Sequence, residues 1–181
     1  MVSGGKAPFE LWYADACRFD LLPVVRSMWM RRGEPIELST PGKNARVGVV
    51  GAVRYPDRRF CFSHQRDRVT AALVPPVVEE LVRHAKRANK VLLLVIDQGR
   101  PFSARLAQQA LEEAAPWLTV IKIPKYTSQW LNWIEPFWDH LKDTYFGRML
   151  TRSARSFPSS VGRLLGRMRR GPLGRLPKRN P

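Results

Sequence analysis

The sequence predicts an α/β domain built on a mixed central sheet flanked by helices, and three observations carry that reading. From Pro8 to Ser63, β-favouring segments are separated by turn signals in the manner of hairpins. The run KVLLLVI, Lys90 to Ile96, is continuously apolar after its lysine, as in a strand buried on both faces of a sheet. After the hairpin strands the order is helix, strand, helix, strand, helix. With 181 residues, 44% of them hydrophobic, the chain can bury one core. We expect one domain over 1–150 and a basic tail over 151–181 that is partly helical or disordered.

Taken in order, residues 8–19 (PFELWYADACRF) read as a first strand around Asp15. Leu21 to Arg32 holds a proline turn and apolar positions at Val24, Val25, Met28 and Trp29, before Gly33-Glu34-Pro35 interrupts it. Ile36 to Thr40 reads as a short strand and Pro41 to Asn44 as a turn. Ala45–Val53 and Arg59–Ser63 form a hairpin through Tyr55-Pro56-Asp57. The helical pattern from Arg68 to Asn89 is split by Pro75-Pro76, which favours a helix over Val77–Asn89. The apolar strand ends on Asp97. A helix over Ser103–Ala115 follows, capped by Ser103 and stopped by Pro116, and then a strand over Leu118–Ile123.

The stretch PKYTSQWLNWIEPFWDHLKD, Pro124 to Asp143, reads as a loop running into the last main helix, with Thr127 or Ser128 as cap. Leu131, Ile134, Trp138, Leu141 and Tyr145 form an apolar stripe, and Asn132, Glu135, Asp139 and Lys142 a polar one beside it. In the tail, Val161 to Arg170 has the pattern of a basic amphipathic helix.

Charge narrows the partner. The chain carries a formal +16 with pI about 11.0, and nine basic residues lie after Thr151 with no acid among them, leaving +7 on residues 1–150. A basic body as well as a basic tail points to a polyanion, and nucleic acid fits best. No apolar run approaches the roughly 18–20 residues of a membrane span. The N-terminus lacks a signal-peptide core. Cys17 and Cys61 make no disulfide framework and read as buried small residues, so a reduced, cytoplasmic setting is expected. His64, His84 and His140 lack metal-ligand spacing and read as structural or surface residues.

Three acids stand where a fold could gather them. Asp15 lies in the first strand, Asp97 at the carboxyl end of a buried strand where open α/β sheets place their sites, and Glu135 in the first turns of the last main helix. Taken singly, each has an ordinary reading; a first-turn glutamate is favoured by the helix dipole alone. Together they would repel one another and raise their own pKa values unless a cation bound. Two Mg²⁺ or Mn²⁺ ions about 3.5–4 Å apart would relieve that repulsion and serve an in-line phosphoryl transfer. Oxygen ligands without partner cysteine or histidine favour Mg²⁺ or Mn²⁺ over Zn²⁺.

These residues resemble the catalytic domain of DDE transposases, specifically the bacterial insertion-sequence (six-hundred-and-thirty family) branch of the mariner-like superfamily. The similarity rests on Asp97-Gln98 ending a strand, on Pro124-Lys125-Tyr126, and on Leu131-Asn132-Trp133-Ile134-Glu135 followed by Trp138 and Lys142. Asp15, Pro23, Trp29 and Arg32-Gly33 match the early pattern. The resemblance covers roughly residues 9–150. The chain departs from the family at Ala16 (usually Glu), Gln98 (usually Asn), Trp133 (usually Pro) and Gly99 to Phe102, where a histidine often stands.

The resemblance implies a ribonuclease-H-like fold, with Asp15 bridging two metals, Asp97 binding one and Glu135 the other. It implies hydrolysis at transposon ends and strand transfer into target DNA, by a homodimer on DNA. About eight residues precede the first strand, so end recognition is expected either from another chain, such as a separate helix-turn-helix chain, or not at all. The DNA-contacting candidates are Arg100, Lys125, Trp130, Asn132 and Lys142 around the triad, and Arg167, Arg169 and Arg170 in the tail. Trp133 shares the loop with Trp130. The competing readings are a catalytically silent DNA-binding remnant and a ribonuclease-H-like nuclease outside transposition.

Overall fold

The computed structural model describes residues 9–22, 31–33, 42–124, 127–146 and 153–170. Strands β1 (Phe9–Asp20), β2 (Arg46–Tyr55), β3 (Phe60–Arg66), β4 (Val91–Ile96) and β5 (Leu118–Lys122) form one sheet in the order β3-β2-β1-β4-β5. β1 pairs antiparallel with β2, and β2 with β3; β1–β4 and β4–β5 are parallel. The hairpin half and the helix-connected half expected from the sequence therefore meet at β1. The segments at 21–32 and 36–40 lie largely outside the described residues, as does the chain beyond Arg170.

Helices cover both faces. α1 (Val74–Ala88), α2 (Arg100–Ser103) and α3 (Arg105–Glu113) follow the hairpins and β4; α4 (Ser128–Leu131), α5 (Glu135–Leu141) and α6 (Phe157–Arg170) follow β5. Strand alternation splits the core in two. Trp12 and Ala14 of β1 pack with Val50, Leu81, Leu94 and Ile96 under α1 and α3. Cys17 and Phe19 turn to the other face, against Val49, Trp138 and Leu165 under α5 and α6.

Four local expectations change. Pro75-Pro76 does not split the helix: α1 starts at Val74 after a 3₁₀ turn, so both prolines sit in its first turn, where a missing N–H costs nothing. Ser103 does not cap α3; its hydroxyl donates to the Arg100 carbonyl, and Ala104 stands at the cap position. Thr127 Oγ1 likewise donates to the Pro124 carbonyl instead of capping α4. The fourth concerns the tail. α6 is helical as the pattern suggests, but it buries Phe157, Val161, Leu164, Leu165 and Met168 in the second core, so it belongs to the domain that we expected to end at 150.

Candidate active site

The β1–β4 ladder closes with Ala14 opposite Ile96, and Asp15 and Asp97 are the next residues on each chain. Ala14 and Ile96 face the α1 core, so alternation turns Asp15 to the α5 face. Asp15 is only 7% exposed. Burial pushes its carboxyl up, the Ala16 backbone N–H pulls it back, and the charges of Glu135 and Asp97 push it up again, to about 7. The charges of two other acids thus bear on the Asp15 carboxyl beside the end of β4.

Glu135 opens α5 because the chain breaks just before it. The single helix read from Leu131 onward is two, α4 and α5, joined at Asn132. The apolar stripe survives only in part: Ile134, Trp138 and Leu141 are buried, while Leu131 and Tyr145 are exposed. Asn132, expected on the polar stripe and on DNA, is 2% exposed. Its Nδ2 donates to the Ala14 carbonyl at 3.2 Å, beside Asp15, and its own carbonyl accepts the Glu135 N–H. Asn132 therefore ties the start of α5 to β1 from inside, with no face left for a phosphate. Pro136 fits the first turn of α5, and Glu135 is half-buried there.

Trp138 fixes the other side of α5. Gly51, the β2 partner of Asp15, leaves a gap that the indole fills; a Cβ on Gly51 would stand 2.7 Å from the Trp138 ring and 2.8 Å from Phe60. The indole N–H has no acceptor at hydrogen-bond distance, yet its positive end offsets part of the rise at Asp15. Asp97 is held by its own loop. Its Oδ1 accepts the Gly99 N–H at 3.0 Å, and a Cβ on Gly99 would meet that oxygen at 2.9 Å. Sequence reasoning missed Gly51 and Gly99; a glycine opposite one candidate acid and another two residues after the second was the available signal.

The donor set suits a hard cation. Three carboxylates and the buried Asn132 Oδ1, which has no hydrogen-bond partner, offer only oxygen acceptors around Asp15. Among the described residues no group of three or more His, Cys, Asp or Glu side chains is gathered closely enough to hold a metal ion. Basic and aromatic groups surround the acids. Arg100, exposed, opens α2 directly after Asp97-Gln98-Gly99. Lys142 is exposed at the end of α5; burial pushes the Cys17 thiol up to about 12, and Lys142 draws part of that rise back. Trp130 is 73% exposed, and Trp133 stacks edge-on against Tyr55 at 5.0 Å. The tail candidates fare differently. Arg167 is exposed, Arg169 pairs with Glu80 at 2.6 Å, and Lys125 and the Arg170 side chain lie outside the described residues.

Residues 10–157 match the DDE superfamily endonuclease family, a span that contains all three acids. The chain belongs to that family. It is 28% identical over 164 residues to an insertion element IS630 uncharacterized 39 kDa protein of Shigella sonnei, covering 91% of this chain and 45% of that protein. Among solved structures it resembles a pre-cleavage Mos1 transpososome (TM-score 0.59, 12% identity, 86% of this chain and 48% of that one). It also resembles the Mos1 mariner paired end complex with Mn (TM-score 0.57, 15% identity, 88% and 50%). The likeness is one of fold, the ribonuclease-H-like fold expected for the family, and the chain spans about half the length of these relatives. No helix among the described residues is long and apolar enough to cross a membrane.

Proposed function

We propose that this domain is the catalytic unit of a transposase, cutting a DNA strand at a transposon end to free a 3′-hydroxyl and joining that end to target DNA. What supports the reading is that Asp15 and Asp97 follow the last pair of the β1–β4 ladder and that the charges of Glu135 and Asp97 both bear on the Asp15 carboxyl. Asp15, Asp97 and Glu135 would hold two divalent cations, Mg²⁺ or Mn²⁺. Bound there, such ions supply activation of a water or hydroxyl nucleophile and charge stabilisation on the leaving oxygen.

The chain's own residues do the rest. Asp15 must give up its proton to serve as a ligand, and burial first and the neighbouring acids second hold that proton on it up to near neutral pH. Asn132 and Trp138 keep Glu135 aimed at β1. Arg100 and Lys142 flank the acids and would bind the phosphodiester backbone on either side of the cut. Trp130 and Trp133 offer faces for unpaired bases. A homodimer holding paired ends, end recognition by a helix-turn-helix chain and a cytoplasmic setting belong to the same proposal.

The test is incubation of the purified chain with DNA bearing the element ends and Mg²⁺ or Mn²⁺. Strand cleavage that Glu135→Gln abolishes, with DNA binding retained, is the expected result. Salt-sensitive binding with no cleavage under either metal would leave a DNA-binding remnant and overturn the catalytic reading. Equal cleavage of RNA–DNA hybrids without preference for element ends would move the domain outside transposition.

A further inference from the structure

On the face of β1 opposite Asp15, a cavity of about 240 Å³ opens between α1, the start of β3 and the last turn of α6. Its wall carries Arg59, Arg87, Arg169 and His84, with Glu80 as its one acid. Glu80 is engaged by Arg169 at 2.6 Å. Among the described residues no carboxylate pairs with Arg59 or Arg87. His84 is committed as well: Nε2 lies 2.7 Å from the Glu10 carboxylate and Nδ1 3.4 Å from Nη1 of Arg59. With its Nε2 proton donated to Glu10, the ring accepts from Arg59 and holds that guanidinium at the cavity.

Trp12 adds an independent observation. It lines the same cavity, is 2% exposed, and its buried indole N–H has no acceptor. An orphaned buried donor is costly and rare in a folded chain. The wall therefore offers one N–H donor without an acceptor and two arginines with no ion pair among the described residues: Arg59, held by His84 and near enough to act on the Asp57 carboxylate, and Arg87, whose Nε donates to the Arg83 carbonyl. A ligand that complements them accepts hydrogen bonds and carries negative charge. Guanidinium forks match the oxygens of a tetrahedral phosphate, which can accept from several directions at once.

We propose that this cavity is a phosphate-binding site, separate from the carboxylates and independent of their chemistry. The phosphate comes either from a small phosphorylated molecule or from a DNA backbone lying along the β3 edge. The experiment is a titration of the full chain with inorganic phosphate at constant ionic strength in metal-free buffer. It follows the indole N–H resonance of Trp12, assigned by its loss in Trp12→Phe.

A saturable shift of that resonance is expected. Arg87→Gln and Arg59→Gln should each weaken it about tenfold, the loss of one charge-assisted contact, while Asp97→Asn leaves it unchanged. Arg87 is exposed, so its substitution should fold even if that of Arg59 does not. A short DNA duplex distinguishes the sources. Movement of the same resonance, reversed by excess phosphate, supports the backbone; DNA binding without that movement supports a small phosphate ligand. A resonance that stays still with both probes, or shifts equally in Arg87→Gln, overturns the site.

Discussion

Trp138 fills the space that a side chain on Gly51 would occupy, and Gly51 is the residue facing Asp15 across the β1–β2 ladder. β2, the neighbour of the strand that carries Asp15, and the helix that carries Glu135 therefore touch through an absent side chain. Gly51→Ala places a methyl 2.7 Å from the Trp138 ring and 2.8 Å from Phe60, and both rings belong to a packed core. We expect a loss of about 1–3 kcal/mol in urea unfolding. Cleavage should fall about tenfold or more, since displacing a reacting group by an ångström is that costly. Gly166→Ala on α6 meets nothing within 4 Å and should stabilise by about 0.5–1 kcal/mol. A Gly51→Ala protein with wild-type stability and cleavage would show that α5 is not seated through this gap.

Gly99 does the corresponding work at Asp97. A methyl there would stand 2.9 Å from Oδ1 and 3.2 Å from Oδ2, and the carboxylate is the movable partner. Gly99→Ala should turn Asp97 away and weaken Mn²⁺ affinity about tenfold, as loss of ligand orientation does elsewhere. Folding stability should stay within about 0.5 kcal/mol, because only a loop side chain moves. Calorimetric titration with Mn²⁺ and thermal unfolding of the same sample separate the two effects.

How much of this was legible in the sequence depends on the range of the interaction. Lys90 to Ile96 announced a buried strand because every residue after the lysine is apolar, and the acids at its end and in β1 were visible as chemistry. The break between α4 and α5 was not legible. It is set by an Asn132 bond to a carbonyl 118 residues away, while the local periodicity around it reads as one helix. The α6 face was read correctly as apolar, but nothing in residues 157–170 names β2 and β3 as what covers it. Pro75-Pro76 misled in the opposite way: a local rule about helix breaking was applied one turn too late.

The Asp15 carboxyl sets a pH dependence whose sign follows from its pKa of about 7, against the usual 3.8. Between these values the folded chain holds a proton that the unfolded chain has lost. The metal-free protein should therefore lose stability as pH rises from about 4 through about 7. Asp15→Asn should flatten that slope. Metal uptake runs the other way, because the proton must leave first: Mn²⁺ affinity should rise about tenfold per pH unit below 7 and level off above it. A metal affinity unchanged between pH 5.5 and 8 would remove Asp15 from the ligand set.

Asn132→Ala discriminates between an interior tether and a DNA contact. Removing the bond to the Ala14 carbonyl should cost about 1–2 kcal/mol of stability. DNA affinity should be unchanged, since the side chain is buried, while the cleavage rate falls because Glu135 loses its link to β1. Weaker DNA binding with an unchanged rate would return Asn132 to the DNA surface.

The last prediction concerns where the domain ends. If residues after 150 were only a basic tail, removing them would cost DNA affinity and little else. α6 instead buries Phe157, Val161, Leu164, Leu165 and Met168 against the core that holds Trp138 and Phe19. Burial of one such side chain contributes about 1.5–3 kcal/mol, and the whole domain has a margin of about 5–15 kcal/mol. A chain truncated after Leu150 should therefore fail to unfold cooperatively and should expose the Trp138 face. Leu165→Ala alone should cost about 2–5 kcal/mol, a partial version of the same loss. Truncation after Gly171 keeps α6 and removes only Arg175, Lys178 and Arg179 among the tail cations. It should leave the melting temperature unchanged and reduce only the salt-dependent part of DNA binding, so the two truncations together locate the boundary between fold and tail.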